Sequence, residues 1–270
     1  MLEFKLVQGH RLRNAVGPLQ HIRGVATVFC NSETLYLQAS DIDRTIVALL
    51  RFRSGFFDHY VVNRKAMAGV GVLALGSILE TTDDEDSIAV RADCRSNVID
   101  FTFEDVGQFP LIALFLVHWN ETHETRNTSA DIVGIPGDHV DFDDSSYEYE
   151  VVVGVPSAEL RRIFASLRNS GPGAIVYVTA SRVRIYTAGQ EIVLTKEHGE
   201  CIIGGVKEED KEITLLGSLH HKINPILEAS ELCATVWFLQ SARRANSPPP
   251  TMINCPIGLM ANLNFYFVKE

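Results

Sequence analysis

The sequence predicts an α+β fold built as a duplicated domain, on three observations. Period-two segments outnumber helical ones along the whole chain. A strand–turn–helix unit stands at the N-terminus and recurs about 145 residues later. Both helices of these units carry arginines behind an apolar stripe.

In the first unit, Leu2-Glu3-Phe4-Lys5-Leu6-Val7-Gln8 alternates as a strand and Gly9 leads into a helix. Leu12, Leu19 and Ile22 lie on its apolar row, and Arg11 and Arg13 lie off it. In the second unit, residues 149–154 form the strand and residues 155–171 the clearest helix in the chain. Ser157 can cap its first turn, Glu159 suits its positive end and Gly171 can close it. Leu160, Ile163, Phe164 and Leu167 recur at i, i+3, i+4 and i+7, so they face a core together. Arg161, Arg162 and Arg168 occupy the opposite arc, separated only by small residues. A solvated outer face accounts for one such helix, since surface arginines are common. A second copy in the same place after a strand favours a shared role.

Between the units, Val25–Cys30, 34–39 and 45–52 alternate as a meander of antiparallel strands, with Asn31-Ser32-Glu33 as a hairpin turn. Residues 63–68 read as irregular, and 72–79 as a short apolar helix ending in Glu80. The acidic run 83–86 reads as a solvated turn before a hairpin of 87–92 and 97–103. The pattern changes over 105–146, where 109–117 is apolar, 119–130 polar and unperiodic, and 138–144 acidic, which indicates a long connector. The second half then repeats the layout: strands at 174–179, 183–186, 192–195 and 213–216, a short helix within 220–227, and strands at 233–238 and 262–268 around a proline-rich loop ending at Pro250. The division that follows is 1–104, a connector of 105–146, and 147–270.

The 270 residues, 46% hydrophobic and 21% charged, suffice for one large core or two modest ones. A net charge of −10 argues against general nucleic-acid binding, so contact with DNA requires a local positive surface. The five cysteines are widely separated with no C-x-x-C pair, which suggests neither a disulfide framework nor a metal site and reads as reduced core thiols. No signal-peptide core and no membrane-length apolar run occur, so an intracellular location is expected. No nucleophile–base pair in a strained turn, phosphate-binding G-x-x-x-x-G-K-[ST] or cofactor motif stands out, so neither catalysis nor a cofactor is expected.

Certain runs carry a resemblance: Phe4-Lys5-Leu6-Val7-Gln8-Gly9, Leu37-Gln38-Ala39-Ser40-Asp41, Phe57-Asp58-His59-Tyr60, Asn63-Arg64, Ile78-Leu79, Glu85-Asp86, Arg91-Ala92 and Phe103-Glu104. In this order and spacing they are similar to the proliferating cell nuclear antigen family, the eukaryotic sliding clamps. The likeness resumes at Gly134-Ile135-Pro136, Val155-Pro156-Ser157-Ala158-Glu159 and Arg162-Ile163, and ends with Ile257, Met260, Leu263 and Tyr266.

The resemblance implies a DNA-clamp fold in a two-domain subunit of a nuclear homotrimeric ring. Helices line a hole around duplex DNA, which is held without sequence preference. It places Arg11, Arg13, Arg161, Arg162 and Arg168 at the channel wall, with Arg64, Lys65 and Lys222 adding to them. It implies a pocket for DNA polymerase, the ATP-driven clamp loader and other replication and repair partners, built from Ser40, Arg44, Val47, Gly134, Ile135, Pro136, Pro250, Tyr266 and Phe267. Ring closure is expected between 109–117 and an edge strand at 183–186. The chain departs from the family at Gly17-Pro18, which interrupts the first helix, at Ser77 and Glu80 where lysines are usual, at Ser40 and Arg44 in the pocket, and in a longer connector. A subunit of a heteromeric checkpoint-type clamp, or a divergent paralogue with reduced partner binding, is the alternative.

Overall fold

The computed structural model describes residues 2–22, 24–43, 45–93, 97–105, 125–135, 148–167, 175–187, 190–206, 213–216, 223–241 and 251–267. Two compact units divide the chain. The first comprises Met1–Gln20, Gly24–Gln38 and Arg51–His139; the second comprises His21–Arg23, Ala39–Leu50 and Val140–Glu270.

In the first unit, β1 (Leu2–Leu6) is flanked by β5 (His59–Val62) and β7 (Asp86–Asp93), both antiparallel to it. The sheet continues through β8 (Val98–Asp105), β9 (Thr125–Val133), β6 (Ala66–Gly71), β2 (Val25–Cys30) and β3 (Thr34–Ser40). Alternate residues of β1 supply the core, with Phe4 and Leu6 buried while Lys5 reaches Glu104 at 2.7 Å. Phe4, Phe52, Phe56 and Phe57 form an aromatic cluster, with Phe4 and Phe57 at 4.6 Å and Phe52 and Phe56 at 4.7 Å between ring centroids.

The α-helix α1 (His10–Val16) buries Leu12, Ala15 and Val16, then gives way to a 3-10 turn over Gly17–His21. Pro18 has no N–H to continue the α-helical ladder, so the interruption read from Gly17-Pro18 is present as a change of helix type. Leu19 keeps the apolar row through this change and is fully buried. The second helix, α2 (Val72–Glu80), packs beside α1 on the apolar face of Val72, Leu75 and Leu79.

In the second unit, β10 (Tyr149–Pro156) lies between β14 (Ile202–Gly204) and β16 (Thr235–Ser241). The sheet proceeds to β17 (Thr251–Ile257), β18 (Ala261–Phe267) and β4 (Ile46–Arg53). A separate sheet has the order β13 (Gln190–Thr195), β12 (Arg182–Thr187), β11 (Ile175–Val178), β15 (Ile213–Leu216). The helix α3 (Ser157–Leu167) follows β10, and α4 (Ile223–Ser230) packs against it. Leu160, Ile163 and Phe164 are each fully buried, as their spacing requires, and each contributes about 2 kcal/mol by leaving water. Ser157 is the first residue of α3, and its hydroxyl lies 3.4 Å from the Cys233 Sγ.

Four expectations are corrected by these pairings. Residues 63–68 are not wholly irregular, because β6 begins at Ala66 and pairs with β2 from Val25↔Gly71 to Cys30↔Ala66. Its glycines and alanines carry no alternation, and the partner strand supplies the order. The polar segment 119–130 includes the start of β9, which pairs with β8 from Val98↔Asp131 to Glu104↔Thr125. Thr125 to Ser129 are all exposed, so backbone pairing forms this strand without an apolar face. Asp86 is no solvated turn residue: it is buried, accepts the Asp83 N–H at 2.9 Å and pairs with Arg126. Residues 183–186 belong to β12, which is paired on both sides, so among the described residues the edges of that sheet are β13 and β15.

Candidate nucleic-acid interface and partner groove

The arginines of α1 start from the helix period. Arg11 and Arg13 leave the buried side of α1 to Leu12, Ala15 and Val16, and both find protein partners. The Arg11 guanidinium lies over the Phe56 ring at 4.7 Å. Arg13 Nη1 donates to the Thr82 carbonyl at 2.6 Å and Nη2 pairs with Asp84 at 3.0 Å, so this side chain ties α1 to the acidic turn. His10 Nδ1 reaches the Asp84 carbonyl in the same place at 3.0 Å.

The back of α3 has a comparable arrangement. Arg161 Nη1 donates to the Ser230 carbonyl at 2.8 Å. Ser230 ends α4, where unsatisfied carbonyls concentrate negative charge, so a guanidinium belongs there. Arg162 is 67% exposed and grips Glu159 with both nitrogens, Nε at 2.9 Å and Nη2 at 2.5 Å. That fork holds the Glu159 carboxyl below its ordinary range. The face is therefore basic with one carboxylate set into it.

Arg64 and Lys65 stand apart from the helices, in the turn between β5 and β6. Both are exposed, and they border a cavity of about 450 Å³ in the first unit that Met67, Asn97 and Ile132 also line. Arg168 and Lys222 lie outside the described residues. Among the described cations, the two units thus present Arg11 with Arg13 and Arg161 with Arg162, each pair on one helix, while Arg64 and Lys65 sit in a strand connection.

Of the expected partner pocket, Ser40, Val47, Tyr266 and Phe267 belong to the second unit. Ser40, Val47 and Tyr266 are buried and Phe267 is half-buried. Neighbouring strands β4 and β18 supply Val47 and Tyr266. The Tyr266 hydroxyl is engaged inward: Asn264 Nδ2 donates to it at 3.1 Å, and Asn254 Nδ2 donates to Asn264 Oδ1 at 2.6 Å. Gly134 and Ile135 are in the first unit and exposed, just after β9. Arg44, Pro136 and Pro250 lie outside the described residues.

Sequence reading missed the most exposed large apolar side chains among the described residues of the second unit. Ile42 is 83% exposed in the turn before β4, and Leu259 is 91% exposed in the turn between β17 and β18. Asp41 fixes the first turn, accepting the Ile46 N–H and the Thr45 hydroxyl at 2.8 Å each. The available signal was an apolar side chain between Asp41 and Asp43, where a turn favours polar residues.

Among the described residues no cluster of three or more metal-ligating side chains occurs, and no helix is long and apolar enough to cross a membrane. Residues 1–113 match the family model described as "Proliferating cell nuclear antigen, N-terminal domain".

Proposed function

From the match of residues 1–113 to the N-terminal domain model of proliferating cell nuclear antigen, we propose that the chain is a sliding clamp of that family, which closes into a ring around duplex DNA and tethers DNA polymerase and other replication and repair proteins as a processivity factor. It acts in the nucleus, as a scaffold and not as an enzyme. The observation that carries this reading is the repeated strand-then-helix unit whose helix turns arginines away from its buried stripe, at α1 and again at α3. Diffuse positive charge of this kind binds phosphates without reading bases, as a ring that must slide requires. Encirclement then retains DNA despite the net charge of −10.

The domain division proposed for the ring subunit is 1–104, connector 105–146 and 147–270. Arg11, Arg13, Arg161, Arg162 and Arg168 face the DNA, joined by Arg64, Lys65 and Lys222. A guanidinium has five donors, so Arg161 keeps donors for phosphate beyond the one given to Ser230. Partner peptides dock on Ser40, Arg44, Val47, Gly134, Ile135, Pro136, Pro250, Tyr266 and Phe267, with Ile42 extending the apolar contact. Strand addition closes the homotrimer. Residues 109–117, the expected interface segment, lie outside the described residues, and β13 ends the sheet that holds 183–186, which supports pairing of 109–117 with that edge between copies.

Light scattering of the purified chain, followed by loading onto nicked circular duplex with an ATP-driven clamp loader, tests the reading. The expected result is a mass of three 30.0 kDa subunits, and retention on circles that is lost on linearisation. A monomer retained only with other clamp subunits establishes the heteromeric clamp instead, and no retention under either condition overturns the proposal.

A further inference from the structure

Two walls of the first unit enclose the cavity of about 450 Å³ that Arg64 and Lys65 border. One wall is β2 with β6, where Val28 stands opposite Ala68 and Cys30 opposite Ala66, so these four side chains share a face. The other is a row across three strands, Leu2 of β1, Ala92 of β7 and Ile99 of β8, which are successive register partners. The strand β6 meets β9 only at Gly69↔Val133 and Val70↔Ile132. Gly69 permits that approach, since a Cβ there would fall on the Gly134 carbonyl oxygen. Past this join Ala66, Ala68 and Ala92 are too small to fill the space between the walls.

One row deeper, Phe4, Val90 and Phe101 are register partners in the same way and are buried. With Val70 they line a second cavity of about 50 Å³, which adjoins the first at Leu2, Val28 and Ile99. Polar side chains stand only at the rim. Arg64, Lys65 and Asn97 are exposed, whereas Cys30 and Gly69 are buried. Among the described residues that line either cavity there is no carboxylate and no hydroxyl.

We propose that this cavity binds a straight-chain aliphatic carboxylate, with its chain between the two walls and its head group at Arg64 and Lys65. Protein interiors leave few voids larger than a water molecule, so a space of this size, within the range of small-molecule sites, is shaped for an occupant. Its walls offer nothing to pair with the polar groups of a sugar or a base, which would be buried at a cost. Two successive cations at the mouth, with no carboxylate beside them in the lining, favour an anion over a neutral lipid. The small inner cavity continues the space away from those cations, which suits the end of a chain. This binding does not depend on a ring, and it gives Arg64 and Lys65 a role besides the one toward DNA.

Calorimetric titration of the full native chain with decanoate, octanoate and decanol, in the absence of DNA, tests the assignment. Decanoate should saturate one site, and octanoate should bind about 16-fold more weakly, at about fourfold for each of the two methylenes lost. Decanol should bind about fivefold more weakly than decanoate, since it makes no ion pair with the exposed cations. Lys65→Ala should weaken decanoate by about the same fivefold and leave decanol unchanged. Ala68→Phe, which puts a ring into the cavity, should abolish binding of both. In the parent chain, decanoate should also slow modification of Cys30 by N-ethylmaleimide and leave Cys201, in the second unit, reacting as before. The proposal is overturned by the absence of saturable binding, by binding that persists in Ala68→Phe, by decanoate no tighter than decanol, or by a Cys30 that decanoate does not protect.

Discussion

Arg161 and Ser230 are 69 residues apart in the chain, yet the guanidinium of one donates to the carbonyl of the other at 2.8 Å, joining the back of α3 to the end of α4. This contact separates Arg161 from its neighbour. Arg161→Ala should lose a charged hydrogen bond at a helix C-terminus and lower stability by about 1–2 kcal/mol. Arg162→Ala, at an exposed ion pair, should leave the unfolding midpoint nearly unchanged. Chemical denaturation of the two variants checks the contrast, and equal loss in both would refute it.

Glu159 restrains the proposed DNA face through its fork on Arg162. Glu159→Gln removes a negative charge from that face and releases the guanidinium for phosphate. Binding to duplex should tighten at low salt, and log K against log salt should steepen by about 0.9 for one added phosphate contact. Titration of fluorescent duplexes of two unrelated sequences measures both effects. A slope unchanged from the parent would show that Arg162 does not reach phosphate.

The same pair sets a pH window. Arg162 holds the Glu159 carboxyl below its ordinary value of 4.5, chiefly by hydrogen bonding and also by its charge. The folded state therefore binds this proton less readily than the unfolded state, so the pair stabilises the protein above about pH 4.5 and the contribution is lost as pH falls through the depressed value. Because the pair is exposed, wild type and Glu159→Gln should differ only slightly in denaturation midpoint at neutral pH, and that small difference should vanish as the pH drops below the window. A difference that grows on acidification would reverse the assignment.

Asp86 is a buried carboxylate whose charge is met by Arg126. Arg126 also donates to the Thr81 carbonyl at 2.9 Å and lies over the Phe103 ring at 5.6 Å. Arg126→Ala leaves the carboxylate without its cation and should cost about 3 kcal/mol. Asp86→Asn should cost less, because the amide oxygen can still accept the Asp83 N–H. Urea midpoints for the two variants decide the order.

Gly205 and Gly199 both have positive φ, +84° and +71°, but only one is crowded. A Cβ at Gly205 would fall on the Glu150 carbonyl oxygen, a backbone atom that cannot yield, whereas nothing lies within 4 Å of a Cβ at Gly199. Gly199→Ala should cost about 1 kcal/mol from conformation alone, and Gly205→Ala at least about 3 kcal/mol because the β10–β14 edge must also shift. Thermal unfolding of both variants gives the comparison.

Local pattern made much of the fold legible. The stripe of Leu160, Ile163 and Phe164 is buried as its period demands, Gly17-Pro18 ends the α-helical part of the first helix, and the hairpin of β7 and β8 stands where alternation placed it. The strands β6 and β9 were not legible. Glycine and alanine dominate β6, and polar exposed residues dominate β9, so neither has an apolar face to alternate; each is a strand because a neighbour offers backbone partners.

The sequence by itself determined the α+β class, the two strand-then-helix units and which side of each helix turns inward, because side chains a few residues apart on one element are bound to a fixed period. Only the tertiary structure decided what the outward groups meet. Arg13 finds Thr82 and Asp84, Arg161 finds Ser230, Arg126 finds Asp86, and Ser157 finds Cys233, across separations that no local period encodes. Packing of distant segments fixes those neighbours, and with them which arginines are tied into the protein and which carboxylate is buried.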